Sequence, residues 1–126
     1  MSKQKTKKDV REFSTGATRD LDSGKLDFEG FLSPLVLERF GQYMNQHRKQ
    51  SNGEMRDSDN WQKHFGDKHY DVCMKSLWRH FHCAWSAHRG LPTKETLEES
   101  LMAVLFNTMA YADKLLKDKL NDNGKK

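Results

Sequence analysis

A chain of 126 residues, 35% hydrophobic and 32% charged, is sized for one domain and polar for a globular one. Three Trp, seven Phe, three Tyr and six Met exclude a wholly disordered chain. No apolar run approaches the ~18 residues of a bilayer span, so no membrane partner is expected, and two thiols, Cys73 and Cys83, do not make a disulfide-built scaffold. Met1–Arg11 lacks the apolar stretch of a signal peptide, which points to reduced cysteines and a cytoplasmic protein.

The net charge of +4 is unevenly spread. Lys3, Lys5, Lys7, Lys8 and Arg11 against Asp9 put +4 into the first eleven residues. Lys117, Lys119, Lys125 and Lys126 against Asp118 and Asp122 put +2 at the other end, which leaves residues 12–116 at −2. Basic charge on tails rather than on a folded face argues against duplex nucleic acid as a partner. Residues 1–14 and 119–126 therefore read as flexible, solubilising tails around a single helical domain over 15–118.

From Thr15 to Ser33 the chain carries Gly16, Gly24 and Gly30 among alternating charges, which is loop chemistry. Ser33 before Pro34 suits a helix start, and Leu37, Phe40, Met44 and His47 recur at helical spacing, so a first helix is expected over 34–49. Residues 50–60 are polar, with an Asn-Gly turn signal at 52–53. A second helix is expected over 68–89, with Tyr70, Met74, Leu77, Phe81, Trp85 and His88 as its buried stripe, stopped by Gly90 and Pro92. Thr96 followed by Glu99 matches a capping box, with Thr93 as a rival cap. Leu97, Leu101, Val104, Leu105, Thr108, Tyr111 and Leu115 line one side of the third helix, to about 118. No alternating run marks a strand. The expected fold is all-α: three main helices with a polar N-terminal lead-in, completed as a bundle by oligomerisation because so short a chain buries a modest core.

Five of the six histidines lie between His64 and His88, but neither His64 with His69 nor His80 with Cys83 has the paired spacing of a structural zinc site. Arg79, His80 and Cys83 sit partly off the aromatic stripe and suit either a cleft or a plain polar surface. Glu95 is explained by the helix dipole alone. Asn107, inside an apolar stretch, needs a partner on another helix or on a ligand. Together with Glu38, Glu98 and Glu99 it supplies the hard oxygens that Mg²⁺ or Mn²⁺ prefers. Arg19 and Lys25, among the lead-in glycines, suit phosphate binding, although no Walker A spacing is present.

The order of these pieces resembles a family. The segments TGATRDLDSGKLDFEGFLSPLVLERF, RDSDNWQKHF, MKSLWRHFHCAWSAHRG and LEESLMAVLFNTMAY are similar to the phage-borne dATP/dGTP diphosphohydrolase N-terminal-domain family over roughly residues 14–112. That family is grouped with the all-α, MazG-like nucleotide pyrophosphatases. The resemblance implies a helical, oligomeric, Mg²⁺- or Mn²⁺-dependent enzyme that cleaves a (d)NTP to the monophosphate and pyrophosphate, in the host cytoplasm if phage-encoded. It implies Glu38, Glu98 and Glu99 on metal, with Glu38, Glu99 and a base-like His80 as the catalytic groups. Arg19, Lys25, Lys75 and Arg79 would bind phosphates, and Asn60 and Trp61 would shape the nucleotide pocket beside Asn107. The chain departs from the family pattern at Cys83, where relatives carry Asp, at Asn45 and Gln46, where they carry acidic residues, and at His64-Phe65-Gly66, where they read Gly-Ile-Pro. Two other classes therefore stand beside the enzyme. One is a non-catalytic nucleotide-binding protein of the same fold that sequesters a nucleotide or cyclic-nucleotide immune signal; the other is a helical scaffold.

Overall fold

The computed structural model describes residues 10–20 and 24–124. Lys3, Lys5, Lys7 and Lys8 of the expected basic tail, and Lys125 and Lys126, lie outside them. The chain divides into two units, residues 1–33 and 34–126, where the sequence suggested one body from 15 to 118.

In the first unit, β1 (Val10–Glu12) pairs antiparallel with β2 (Thr18–Asp20), with Arg11 opposite Arg19. The turn between them is closed by Phe13 N–H donating to the Ala17 carbonyl at 2.9 Å, and Gly16 supplies the positive φ of 85° that the reversal needs. Strands of three residues are too short for alternation to show, which is why the sequence gave no sign of them. A single helical turn, α1 (Phe28–Phe31), follows, capped by the Asp27 carboxylate accepting from Gly30 N–H at 3.1 Å.

The second unit is helical. Pro34 opens α2 (Pro34–Gln46), where its missing N–H costs nothing. The helix stops three residues short of the expected end because the chain doubles back: Gln50 N–H donates to Glu54 O and Arg56 N–H to Arg48 O, both at 2.8 Å. The reversal turns on Asn52-Gly53, with Asn52 Oδ1 accepting from Glu54 N–H at 3.0 Å and Gly53 at φ 87°. Two single 3₁₀ turns, Asn60–Lys63 and Gly66–Lys68, lead into α3 (His69–His88). After Gly90, α4 (Leu97–Gly124) begins at the expected cap, where Thr96 Oγ1 accepts from Glu99 N–H at 3.1 Å. It runs past 118, supported by the i,i+4 pairs Asp113–Lys117 (2.8 Å) and Lys114–Asp118 (3.0 Å).

α3 and α4 form an antiparallel hairpin, as the cross-links Tyr70–Asp118, His69–Ala110 and His80–Glu95 require. Its seam is built from small side chains. Cys73 and Ala84 on α3 meet Ser100, Ala103 and Ala110 on α4, all buried, and small residues let the helix axes approach closely. One side of the hairpin is covered by α2, whose Phe40, Tyr43 and Met44 pack on Met102, Ala103 and Phe106. The 3₁₀ segment joins α2 on that side through Trp61 edge-on to Phe106 and His64 Nε2 bonded to Asp113 at 2.9 Å.

The expected buried stripe of α3 is corrected by this packing. Tyr70 and Leu77 are half-buried, but Met74, Phe81, Trp85 and His88 are exposed, and the residues facing α4 are instead His69, Cys73, His80 and Ala84. His69 is fully buried: Nδ1 accepts from Phe65 N–H at 3.2 Å and Nε2–H donates to the Ala110 carbonyl at 2.8 Å.

Candidate functional site

A cavity of about 450 Å³ opens on the covered side of the hairpin, between the end of α2, the 47–58 reversal, the first 3₁₀ turn and Phe106 of α4. Its apolar wall comes from Tyr43, Met44, Trp61, Phe65 and Phe106. Its polar groups are Asn45, His47, Arg48, Arg56, Asp57, Ser58 and Asn60. Concave, mostly aromatic, with a few oriented polar groups, it has the size and lining of a small-molecule site.

The two arginines reach this cavity because the Asn52-Gly53 reversal brings Arg56 back against Arg48. Arg48 Nε–H donates to the Arg56 carbonyl at 2.8 Å, and its Nη1 to Asn45 Oδ1 at 3.3 Å. Arg56 Nη1 donates to the His47 carbonyl at 2.8 Å. These bonds hold the guanidinium planes while engaging only some of the five donors each carries, which leaves N–H groups to receive an anion. His47 Nδ1 in turn lies 2.8 Å from the Tyr43 carbonyl and its ring stacks 4.2 Å from that of Tyr43. Burial, and then the nearby charges of Glu95 and Glu99, push the Tyr43 hydroxyl up from its ordinary value, so Tyr43 remains a neutral donor at this wall.

The segment that carries Trp61 and Phe65 is held under strain. His64 adopts φ 65°, ψ 176°, a region used almost only by glycine. It is kept there by its bond to Asp113 and by ring contact with His69 at 4.7 Å. Asp113 is held below the usual carboxylate range by Lys117, then by His64.

The residues expected from the sequence are divided among several places. Asn60 and Trp61 line the cavity. Arg79 and His80 line a second, shallower groove of about 390 Å³ with His82, Cys83, Thr93, Lys94 and Glu95. There His80 Nδ1 bonds Glu95 Oε1 at 2.8 Å, and Cys83 faces the Glu95 carbonyl at 3.8 Å. Glu95, set aside in the sequence as a helix-dipole acid, is thus the carboxylate that holds His80. Lys75 is exposed on α3. Asn107 is buried as expected, but its amide donates to the Ala103 carbonyl one turn back, at 2.9 Å. Arg19 and Lys25 are exposed in the first unit.

Glu38, Glu98 and Glu99 are all exposed, and Glu98 is ion-paired with Arg39 across α2 and α4. Among the described residues no three His, Cys, Asp or Glu side chains come together as a metal would need. A divalent ion bound to hard oxygens takes six or more ligands, protein carboxylates foremost, so these groups do not fit a shared Mg²⁺ or Mn²⁺. Comparison with family models, with curated proteins and with solved structures finds no match to this chain.

Tyr43, His47, Arg48, Arg56, Phe65 and Phe106 are the cavity residues that sequence reasoning missed. The signal that could have found them was the Asn-Gly turn already noted at 52–53. A reversal there sets residues on its two flanks side by side, and the flanks carry Arg48 and Arg56.

Proposed function

We propose that this chain is a nucleotide-binding protein whose site is the cavity on the covered side of the α3–α4 hairpin. The observation that carries the reading is the meeting of four aromatic rings, Tyr43, Trp61, Phe65 and Phe106, with two pre-oriented guanidiniums in one cavity of about 450 Å³. A base stacks on aromatic faces. Its phosphates match the fork of an arginine, and Asn45 and Asn60 offer amides to the base edge or sugar. One carboxylate, Asp57, against two arginines leaves the lining cationic, as an anionic ligand requires. The reading favours binding over turnover, because the acidic groups that would share a divalent ion are exposed and dispersed.

The test is the melting temperature of the full chain against a panel of ribo- and deoxynucleoside mono- and triphosphates and cyclic nucleotides, with and without Mn²⁺. Ligand at ~100 times its Kd adds about 2.7 kcal/mol to stability, a rise of several degrees for a domain of this size. Trp61→Ala is expected to weaken the same ligand by roughly 5- to 150-fold, the value of one base–aromatic stack. No shift with any nucleotide overturns the reading. Pyrophosphate release from dATP or dGTP, abolished by Glu38→Ala or Glu99→Ala, would replace it with the hydrolase that the resemblance implies.

A further inference from the structure

The other side of the hairpin is uncovered, and it is apolar. On α3, Met74, Trp78, Phe81 and Trp85 are exposed, the two tryptophans at 62% and 54%. They are spaced four, three and four residues apart. On α4, Leu97, Leu101, Val104, Thr108, Tyr111 and Leu115 repeat the same spacing, with Leu97, Leu101, Thr108 and Leu115 exposed and Val104 and Tyr111 half-buried. Sustained 4-3 spacing is the seam pattern of helices that pack at a shallow angle.

Helical geometry puts the two stripes on one side. At ~100° per residue, the α3 stripe lies about 100° round from the seam residues Cys73, His80 and Ala84. The α4 stripe lies a similar angle round, in the same rotational sense, from Ala103, Asn107 and Ala110. Equal rotation on antiparallel helices brings both stripes to the same side of the hairpin. The ring contact of Tyr70 with Tyr111, centroids 4.7 Å apart, bridges the helices on that side. Phe106 and Asp113, which receive Trp61 and His64, lie round the opposite way.

We propose that this face pairs with the same face of a second copy, closing a four-helix bundle across a two-fold axis. Three features select that occupant. The face is uncharged along both stripes, because Lys75 and Arg79 lie farther round α3, so it offers nothing specific to a polyanion. Its area matches: the α3 aromatics leave on the order of 400 Å² exposed. Met74 with the α4 leucines brings the patch to roughly 700 Å², above what monomers commonly expose and close to the ~800 Å² that each partner gives a standard interface. Finally, a two-helix hairpin presenting matched seams is half of a bundle, and an isologous contact lets one patch satisfy itself. The inference is independent of the nucleotide reading, whose cavity lies on the opposite side.

Sedimentation equilibrium of the full chain across roughly 1–100 µM, the range where interfaces of this area associate, is the experiment. The expected mass is twice 14.8 kDa. Trp78→Glu and, separately on the other helix, Leu101→Glu are each expected to raise the dimer Kd by roughly 30-fold or more, with helical circular dichroism unchanged because both side chains face solvent in the single chain. If either variant fails to fold, the wild type still decides: tryptophan emission must shift to the blue as concentration rises. A mass of 14.8 kDa at every concentration, dimers indifferent to both variants, or emission independent of concentration overturns the proposal. A monomer that binds a single-stranded oligonucleotide or anionic vesicles through Trp78 overturns it equally.

Discussion

The two sides of the α3–α4 hairpin solve the same physical problem differently. On the side of α2, the chain covers its own helices with Phe40, Tyr43, Met44 and the 3₁₀ turns, and the cover is imperfect enough to leave a cavity with aromatic walls. On the other side, larger aromatics, Trp78 and Trp85, are left in water. Hydrophobicity alone therefore does not say which residues a chain buries by itself. The covered side is chosen by where the next segment can reach, and the seam by how small its side chains are.

The largest effect is expected where the cover is pinned to the hairpin. His69→Ala removes a fully buried ring that serves the Phe65 N–H and the Ala110 carbonyl. Cavity formation and two orphaned backbone groups together cost about 3 kcal/mol or more, measured by urea unfolding. A smaller effect separates strain from bonding at His64. His64→Ala loses the Asp113 bond and keeps the positive φ, whereas His64→Gly loses the bond and relieves the strain. The glycine variant is expected to be more stable than the alanine one by about 1 kcal/mol or more. In the seam, Ser100 Oγ is buried without a hydrogen-bond partner among the described residues. Ser100→Ala should stabilise by up to about 1 kcal/mol, and a loss of stability would show that the hydroxyl is used.

On the open side the effect is one of pH. Tyr70 donates to Asp118 at 2.6 Å, which, with burial, pushes its hydroxyl up to about 12, while Tyr70 and Lys114 hold Asp118 below the usual carboxylate range. A raised tyrosine pKa favours the folded state fully below pH 10, its unfolded value, and that contribution is lost as pH climbs from there through about 12. The stability gap between wild type and Tyr70→Phe is thus expected to close over that window. The Asp118 contribution runs the other way, present above the ordinary carboxylate range and lost as pH falls through its lowered value. A gap that stays constant up to pH 12 would mean the bond contributes nothing.

Much of the helical fold was legible. Pro34, Gly90 and the Thr96–Glu99 box mark ends that depend on local chemistry, and the structure uses all three. The face of α3 was not legible, because two stripes compete along it and the more hydrophobic one is the one left exposed. Small seam residues such as Ala84 and Cys73 give a weak periodic signal although close packing depends on them. At the cavity, Asn60 and Trp61 could be named from the sequence. Arg48, Arg56 and Phe106 could not, since their meeting depends on a chain reversal and on α2 crossing α4. The pairing of His80 with Glu95, rather than with residues on another helix, is likewise a product of the tight connection between α3 and α4.

The most direct test of the account is a titration of Trp61 fluorescence with purine nucleotides, using the variant Trp78→Phe/Trp85→Phe so that Trp61 is the sole reporter. Saturable quenching, weakened at least ~10-fold by Arg56→Ala as a charge-assisted contact to phosphate demands, is the predicted result. Emission that does not change at millimolar nucleotide, or quenching indifferent to Arg56, would contradict a nucleotide site on the covered side of the hairpin.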